Sequence, residues 1–132
     1  IGGAAFDYLA GDWMLGVLLG GLGGVQSILA SETSMNFIRL AYEKNCYVAA
    51  ICAAPTILAR LHITDGRKAT CYPGMEDQMG TAQMIPCGAV QDGSVITGRA
   101  AGSADEFGLA CLRVLKGEET ARQVASGIVY RA

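Results

Sequence analysis

A chain of 132 residues and 13.7 kDa fits one domain and is too short for two ordinary ones. Hydrophobic residues make up 52% and charged residues 17%, which excludes a disordered polyelectrolyte, while ten basic against twelve acidic residues, with no basic stripe, leave nucleic acid no electrostatic footprint. The mean hydropathy of +0.33 implies that much of the chain is core or that a partner covers apolar surface; no apolar run reaches the roughly 20 residues of a spanning helix, so no membrane role is expected.

The opening IGGAAFDYLAG lacks both an initiator Met and a basic region, so it does not read as a signal peptide and the chain is expected to be less than a full translation product. Trp13 to Leu19 is a short apolar run, read as a strand buried on both faces. The glycine-rich GGLGG, Gly20 to Gly24, reads as a loop. Ser31 is placed to cap a helix with Met35, Ile38 and Tyr42 on its apolar side, at spacings of three and four. Tyr47 to Ile51 is a second buried strand, and it runs directly into Cys52-Ala53-Ala54-Pro55. Pro55 suits the first turn of a helix, where its missing N–H costs nothing, and that helix should run to about Leu61.

Asp65-Gly66 marks a turn and Lys68 to Cys71 a third strand; Tyr72 to Pro86, punctuated by Gly and Pro, reads as irregular. Asp92-Gly93 between Ala89–Gln91 and Ser94–Thr97 is a two-residue hairpin signal, since glycine accepts positive φ. Ser103 or Asp105 opens a helix with Phe107, Leu109, Ala110 and Val114 on its apolar side, Gly117 stops it, and a last helix fits Glu118 to Ala125. Buried strands alternating with helices predict an α/β sandwich with a mostly parallel sheet.

Five cysteines without a C-x-x-C pair, together with a single histidine, argue against a disulfide framework, a zinc site or any other metal site. Four of them read as small buried hydrophobes in a reducing cytoplasm. Cys52 differs. It stands where a strand turns sharply into a helix, between small neighbours, which is the layout of a nucleophile elbow. The helix N-terminus behind it carries partial positive charge that stabilises an anionic sulfur, and its N–H groups can hold an oxyanion. The alternative is an ordinary buried strand cysteine. Gly20-Gly21 at the end of the first strand allows close backbone approach to a ligand, or is a tight turn; the dinucleotide pattern G-x-G-x-x-G fails, because Gln26 stands where its last glycine belongs. His62 lies ten residues beyond Cys52, roughly 15 Å along the same helix, too far to serve as its base. Tyr72-Pro73 and Arg99 follow strands and are expected at the crevice that holds Cys52; Tyr72 can equally be a half-buried aromatic.

VAAICAAPTIL (Val48 to Leu58), LLGGLGG (Leu18 to Gly24), ATCYPG (Ala69 to Gly74) and ITGRAAGSADEF (Ile96 to Phe107), in this order, resemble the ThiJ/PfpI superfamily, in the branch of the parkinsonism-associated DJ protein and its bacterial relatives. The resemblance covers nearly all of the chain from Trp13 onward. It implies one flavodoxin-like three-layer domain over residues 1–132, a homodimer without cofactor, and a reactive cysteine at Cys52. It further implies backbone donors for an oxyanion at Gly20-Gly21 and Ala53, and pocket residues at Tyr72, Pro73 and Arg99. Departures are Leu19 where the family carries proline, and Arg99-Ala100-Ala101-Gly102-Ser103 where it carries R-G-P-G-T. The family also places a glutamate after an earlier strand, against the cysteine, and this sequence has no counterpart of that strand, its helix or the glutamate. The expectation is therefore that an N-terminal segment, joined or bound in trans, completes the functional species.

Two functions follow from the resemblance. One is glyoxalase- or deglycase-type chemistry, in which the Cys52 thiolate attacks a small carbonyl substrate such as a 2-oxoaldehyde. The other is redox sensing or chaperoning through oxidation of Cys52 without turnover. The family's peptidases place histidine directly after the nucleophile, where this chain has Ala53, and class I glutaminases use a late histidine, whereas none lies beyond His62.

Overall fold

The computed structural model describes residues 15–131; Trp13 and Met14 of the predicted first strand lie outside them. The elements in chain order are β1 (Leu15–Leu18), α1 (Leu22–Ala30), α2 (Glu32–Glu43), β2 (Tyr47–Ile51), α3 (Pro55–Arg60), β3 (Lys68–Ala69), a 3-10 turn (Glu76–Gln78), β4 (Gln83–Met84), β5 (Ala89–Asp92), β6 (Val95–Gly98), a 3-10 turn (Ala101–Ser103), α4 (Ala104–Lys116) and α5 (Glu118–Gly127). The main sheet has the order β1-β2-β6-β5, parallel except for the β5–β6 hairpin.

Side-chain alternation along β2 explains the three layers. Val48 and Ala50 pack with Val25, Ile38, Ala41, Ile57 and Leu58 of the first three helices; Ala49 and Ile51 pack on the other face with Phe107, Ala110 and Cys111 of α4. The alanines let helices approach closely. Gly98 is required for the same reason: a Cβ there would stand 2.8 Å from Phe107 Cδ1 and 2.9 Å from Ile51 Cγ1. The fold is thus a flavodoxin-like α/β sandwich with a mostly parallel sheet.

Local chemistry sets several boundaries as expected. Ser31 Oγ accepts from the Ser34 N–H at 3.2 Å and caps α2, whose buried residues are Ile38 and Ala41. Gly93 takes φ 61° in the β5–β6 turn. Gly117 at φ 91° ends α4, and α5 runs two residues past the predicted Ala125. Ser103 holds the N-cap position of α4 without a side-chain cap bond, while Asp105 and Glu106 in the first turn and Arg113 and Lys116 in the last complement the helix dipole.

Three expectations are corrected. β1 is half-buried rather than enclosed on both faces, and Val17 is 46% exposed, because among the described residues β1 is the last strand on its side of the sheet. GGLGG is not a loop: only Gly20 and Gly21 are, and Leu22 already begins α1, pinned by buried Val25 with Ile28 and Leu29 against the core. The third strand is two residues long and pairs with β4 in a separate small sheet, because the Thr70 N–H turns away from any ladder and donates to the Thr97 hydroxyl at 2.9 Å.

Candidate active site around Cys52

Cys52 has φ 67°, the left-handed region that a residue with a Cβ rarely adopts. Three contacts impose it. The Cys52 N–H donates to Gly98 O at 3.0 Å, the Cys52 carbonyl accepts from the Tyr72 N–H at 2.8 Å, and Ala54 N donates back to Ile51 O at 3.2 Å. The Thr56 hydroxyl closes the turn on Ala53 O at 2.6 Å. Strand β2 therefore delivers the side chain outward at the corner, half-buried, as an elbow requires.

Gly20 packs directly on this corner. A Cβ at residue 20 would lie 2.6 Å from Cys52 Cβ, 2.6 Å from Ile51 O and 2.9 Å from Ala53 N. No other residue type fits without moving backbone. Gly21 follows at φ 118°, again a glycine conformation, and its carbonyl accepts from Val25 N to start α1. The N–H groups of Gly21 and Ala53 find no acceptor among the described residues.

Beside the thiol lies a cavity of about 430 Å³. Of the sequence-predicted residues, Gly21, Cys52, Ala53, Tyr72 and Pro73 line it, and Gly20 braces it from behind. Arg99 does not reach it. The backbone after β6 is held sideways by the Arg99 N–H on Gly88 O at 2.8 Å, and the Arg99 side chain lines a separate cleft of about 180 Å³ with Thr70, Cys71 and Glu76. Leu22, Met75 and Gln78 belong to the Cys52 cavity and were not foreseen. Leu22 had a signal, the Val25, Ile28, Leu29 spacing of α1; Met75 and Gln78 arrive by a fold of the arm that no local pattern encodes.

The arm is the segment from Arg67 to Gly88 that carries Tyr72 and the far wall. Thr70 rivets it twice, its N–H donating to Thr97 Oγ1 and its hydroxyl donating to Cys87 O at 3.2 Å. Arg67 fastens its start, donating to Asp92 O at 3.0 Å and to the Tyr42 hydroxyl at 2.7 Å. Gly74 N donates to Glu76 Oε2 at 2.8 Å and shapes the 3-10 turn. Met79, fully buried, anchors the end of that turn.

The other thiols are placed for packing. Burial pushes Cys71 up to about 11, with Glu76 and Asp77 adding to the effect, and burial pushes Cys111 up to about 11. Burial, then the Glu106 carboxylate, raise Cys87, against the Ala89 carbonyl hydrogen bond and Arg99, which lower it. Cys46 is buried one residue before β2. His62 sits at φ 62° just past α3, its side chain 80% exposed and its Nδ1 3.0 Å from Asp65 Oδ2, with no part in the cavity. Among the described residues no group of three or more His, Cys, Asp or Glu is arranged to hold a metal, and no helix is long and apolar enough to cross a membrane.

Known proteins resemble this chain over most of its length. The protein dj-1beta of Drosophila melanogaster is 36% identical over 115 residues, covering 86% of this chain and 62% of that protein. The Parkinson disease protein 7 homolog of Danio rerio is 34% identical over 124 residues, covering 92% of this chain and 66% of that protein. The chain thus spans about three fifths of the length of these relatives. The crystal structure of Drosophila melanogaster DJ-1beta superposes with a TM-score of 0.86 at 32% identity, over 97% of this chain and 70% of that one. A DJ-1 superfamily protein of Salmonella typhimurium reaches 0.87 at 21% identity, a likeness of fold. The DJ-1/PfpI family model matches residues 8–114, and with these relatives and this elbow the chain belongs to the DJ-1/PfpI family.

Proposed function

We propose that Cys52 is the nucleophile of glyoxalase- or deglycase-type chemistry on small electrophilic carbonyls. The observation that carries this reading is the left-handed Cys52 at the mouth of a cavity, with the unpartnered N–H groups of Gly21 and Ala53 beside it. The thiolate adds to an aldehyde carbon and forms a C–S bond. The carbonyl electron pair moves to oxygen, and the two N–H groups stabilise the alkoxide as it develops. For methylglyoxal, a proton then shifts from C1 to C2 and water releases lactate, so no external oxidant is needed. Tyr72 and Gln78 are the lining groups able to hydrogen-bond the substrate. Family membership supports a homodimer as the working unit, with no cofactor.

The second reading, oxidation of Cys52 as a sensor, is favoured by one feature. The unpartnered N–H groups of Gly21 and Ala53 beside the strained Cys52 can stabilise a sulfenate or sulfinate oxygen as well as an alkoxide. Methylglyoxal consumption by the chain together with the expected N-terminal segment, abolished in Cys52→Ser, supports the enzyme; absence of turnover in that species, with Cys52 still oxidised first by peroxide, supports the sensor.

Brief alkylation separates the thiols. Cys52 takes label first at neutral pH. Cys71 and Cys111, pushed up to about 11 by burial, are labelled far more slowly at neutral pH and gain rate as the pH rises. Earlier labelling of either would overturn the assignment of Cys52 as the reactive thiol.

A further inference from the structure

Two peptide units meet at Cys52, and each is tied to something different. The Ile51–Cys52 unit donates its N–H to Gly98 O of β6 at 3.0 Å. The Cys52–Ala53 unit carries two groups that point in opposite directions. Its carbonyl accepts the Tyr72 N–H at 2.8 Å, and its N–H, that of Ala53, finds no acceptor among the described residues and belongs to the cavity. A trans peptide unit is planar and stiff, so whatever fixes its carbonyl also fixes the aim of its N–H. The bond that aims the Ala53 N–H is thus made on the far side of the unit, by the arm.

Tyr72 is not itself part of the main sheet, since β3 and β4 form a separate pair. Its nearest anchor along the chain on that sheet is the Thr70 N–H on Thr97 Oγ1 at 2.9 Å. Two residues of extended chain span at most about 7 Å, so the anchor leaves the Tyr72 N–H little slack. Thr97 is fully buried in β6, between β2 and β5, and pairs with Ala50 one step before Gly98 pairs with Ile51. A hydroxyl buried inside a sheet must find a partner, and here the partner is the arm. Consecutive residues of β6 therefore hold the N–H of Cys52 directly and, through Thr70 and Tyr72, the plane of the next peptide unit. We propose that Thr97 is a positioning residue for carbonyl addition at Cys52, setting the aim of the Ala53 N–H at the developing alkoxide, while packing of the elbow sets the thiol. This rests on the reading of Cys52 as a nucleophile toward carbonyls.

The test compares two reactions of the same sulfur, in the chain together with the expected N-terminal segment. Displacement of iodide from iodoacetamide forms the C–S bond at a saturated carbon and puts no charge on an oxygen held by the N–H groups. Addition to an aldehyde forms the C–S bond and moves the carbonyl electron pair to that oxygen. Propanal adds reversibly and, lacking a second carbonyl, cannot be turned over, so its protection of Cys52 against iodoacetamide, read by peptide mass spectrometry, reports addition alone. Thr97→Val should weaken this protection about fivefold or more, below the roughly hundredfold that deleting an oxyanion donor costs, because the N–H is misaimed rather than removed. The iodoacetamide rate without aldehyde should stay within threefold. Thr97→Ser should restore protection, and Ile38→Val, a core truncation in α2, should leave both reactions as in the wild type. Unchanged protection in Thr97→Val, or protection lost only in step with the alkylation rate, overturns the proposal while leaving Cys52 as nucleophile. A wild-type Cys52 that is alkylated but never protected by propanal overturns the carbonyl reading and this proposal together. Protection without methylglyoxal turnover overturns the catalytic reading alone.

Discussion

The elbow and the arm that faces it are built on opposite terms. The elbow, from β2 into α3, is held by the main sheet and by residues too small to choose among conformations: Ala49, Ala50, Ala53 and Ala54 are buried, and Gly20 touches the corner backbone. The arm from Arg67 to Gly88 has only two-residue strands; beyond the Tyr72 N–H on the Cys52 carbonyl and the small buried cluster of Ala69, Cys71 and Met79, it is held by side-chain hydrogen bonds at Arg67, Thr70 and Glu76. Packed backbone leaves no graded response, because interiors are close-packed and a contact at 2.6 Å has nowhere to go. Individual hydrogen bonds can be removed one at a time for about 1 kcal/mol each. Reactivity at Cys52 should therefore fail abruptly under elbow mutations, whereas the arm should tune access and selectivity in small steps.

The strongest way to break this contrast is Gly20→Ala. The added methyl meets Ile51 O and Ala53 N, which are backbone, and Cys52 Cβ, so the elbow itself must move. Overpacking of this kind costs about 1–3 kcal/mol. We expect a loss near the upper end, measured by chemical denaturation, together with a tenfold or larger fall in the Cys52 alkylation rate. A variant of unchanged stability and labelling would show that the close approach of the loop after β1 to the elbow does not set the thiol's geometry.

Thr97→Val sharpens the other half. Thr97 is fully buried in β6, and its hydroxyl accepts the Thr70 N–H; valine keeps the shape and leaves that buried N–H unpaired. The expected cost is about 1–2 kcal/mol. Because Thr70 lies two residues before Tyr72, the cavity wall should loosen and the iodoacetamide rate at Cys52 should change by no more than about threefold, on the scale of one modest hydrogen bond. Thr97→Ser should restore both. A tenfold loss of labelling would mean that the Thr70–Thr97 bond, and not the Tyr72 N–H on the Cys52 carbonyl alone, sets the thiol's geometry.

The same division explains what the sequence disclosed. Cys52, its small neighbours and the glycines at residues 20 and 21 were legible because the elbow is contiguous and its requirement is steric, which residue size states directly. The hairpin at Asp92-Gly93 and the Ser31 cap were legible for the same local reason. The start of α1 was obscured because glycine is a poor helix former, yet Gly23 and Gly24 stand in a first turn with open space around them, where tertiary packing of Val25 decides. Met75 and Gln78 were hidden because nothing within Tyr72–Pro86 says that its 3-10 turn folds back over the elbow; the bonds from Thr70 to Thr97 and from Arg67 to Asp92 that bring it there span 27 and 25 residues. Arg99 was placed at the correct strand end, but the Gly88 carbonyl that diverts its backbone is equally non-local.

His62 supplies the smallest expected effect and tests the contrast from outside both regions. It is the chain's one histidine, and a cysteine nucleophile invites pairing with it. Its place at φ 62°, with its backbone N–H on Ala59 O at 3.0 Å, is instead that of a residue ending a helix. The Asp65 contact is solvated and screened, so it adds little to stability. His62→Ala should leave the Cys52 alkylation rate and its pH profile unchanged within twofold and alter stability by less than about 0.5 kcal/mol. His62→Gly should be neutral or stabilising by up to about 1 kcal/mol, since glycine enters the left-handed region without a Cβ penalty. A tenfold loss of labelling in His62→Ala, about 1.4 kcal/mol in the barrier, would place the imidazole in the reaction and overturn the separation of α3's far end from the elbow.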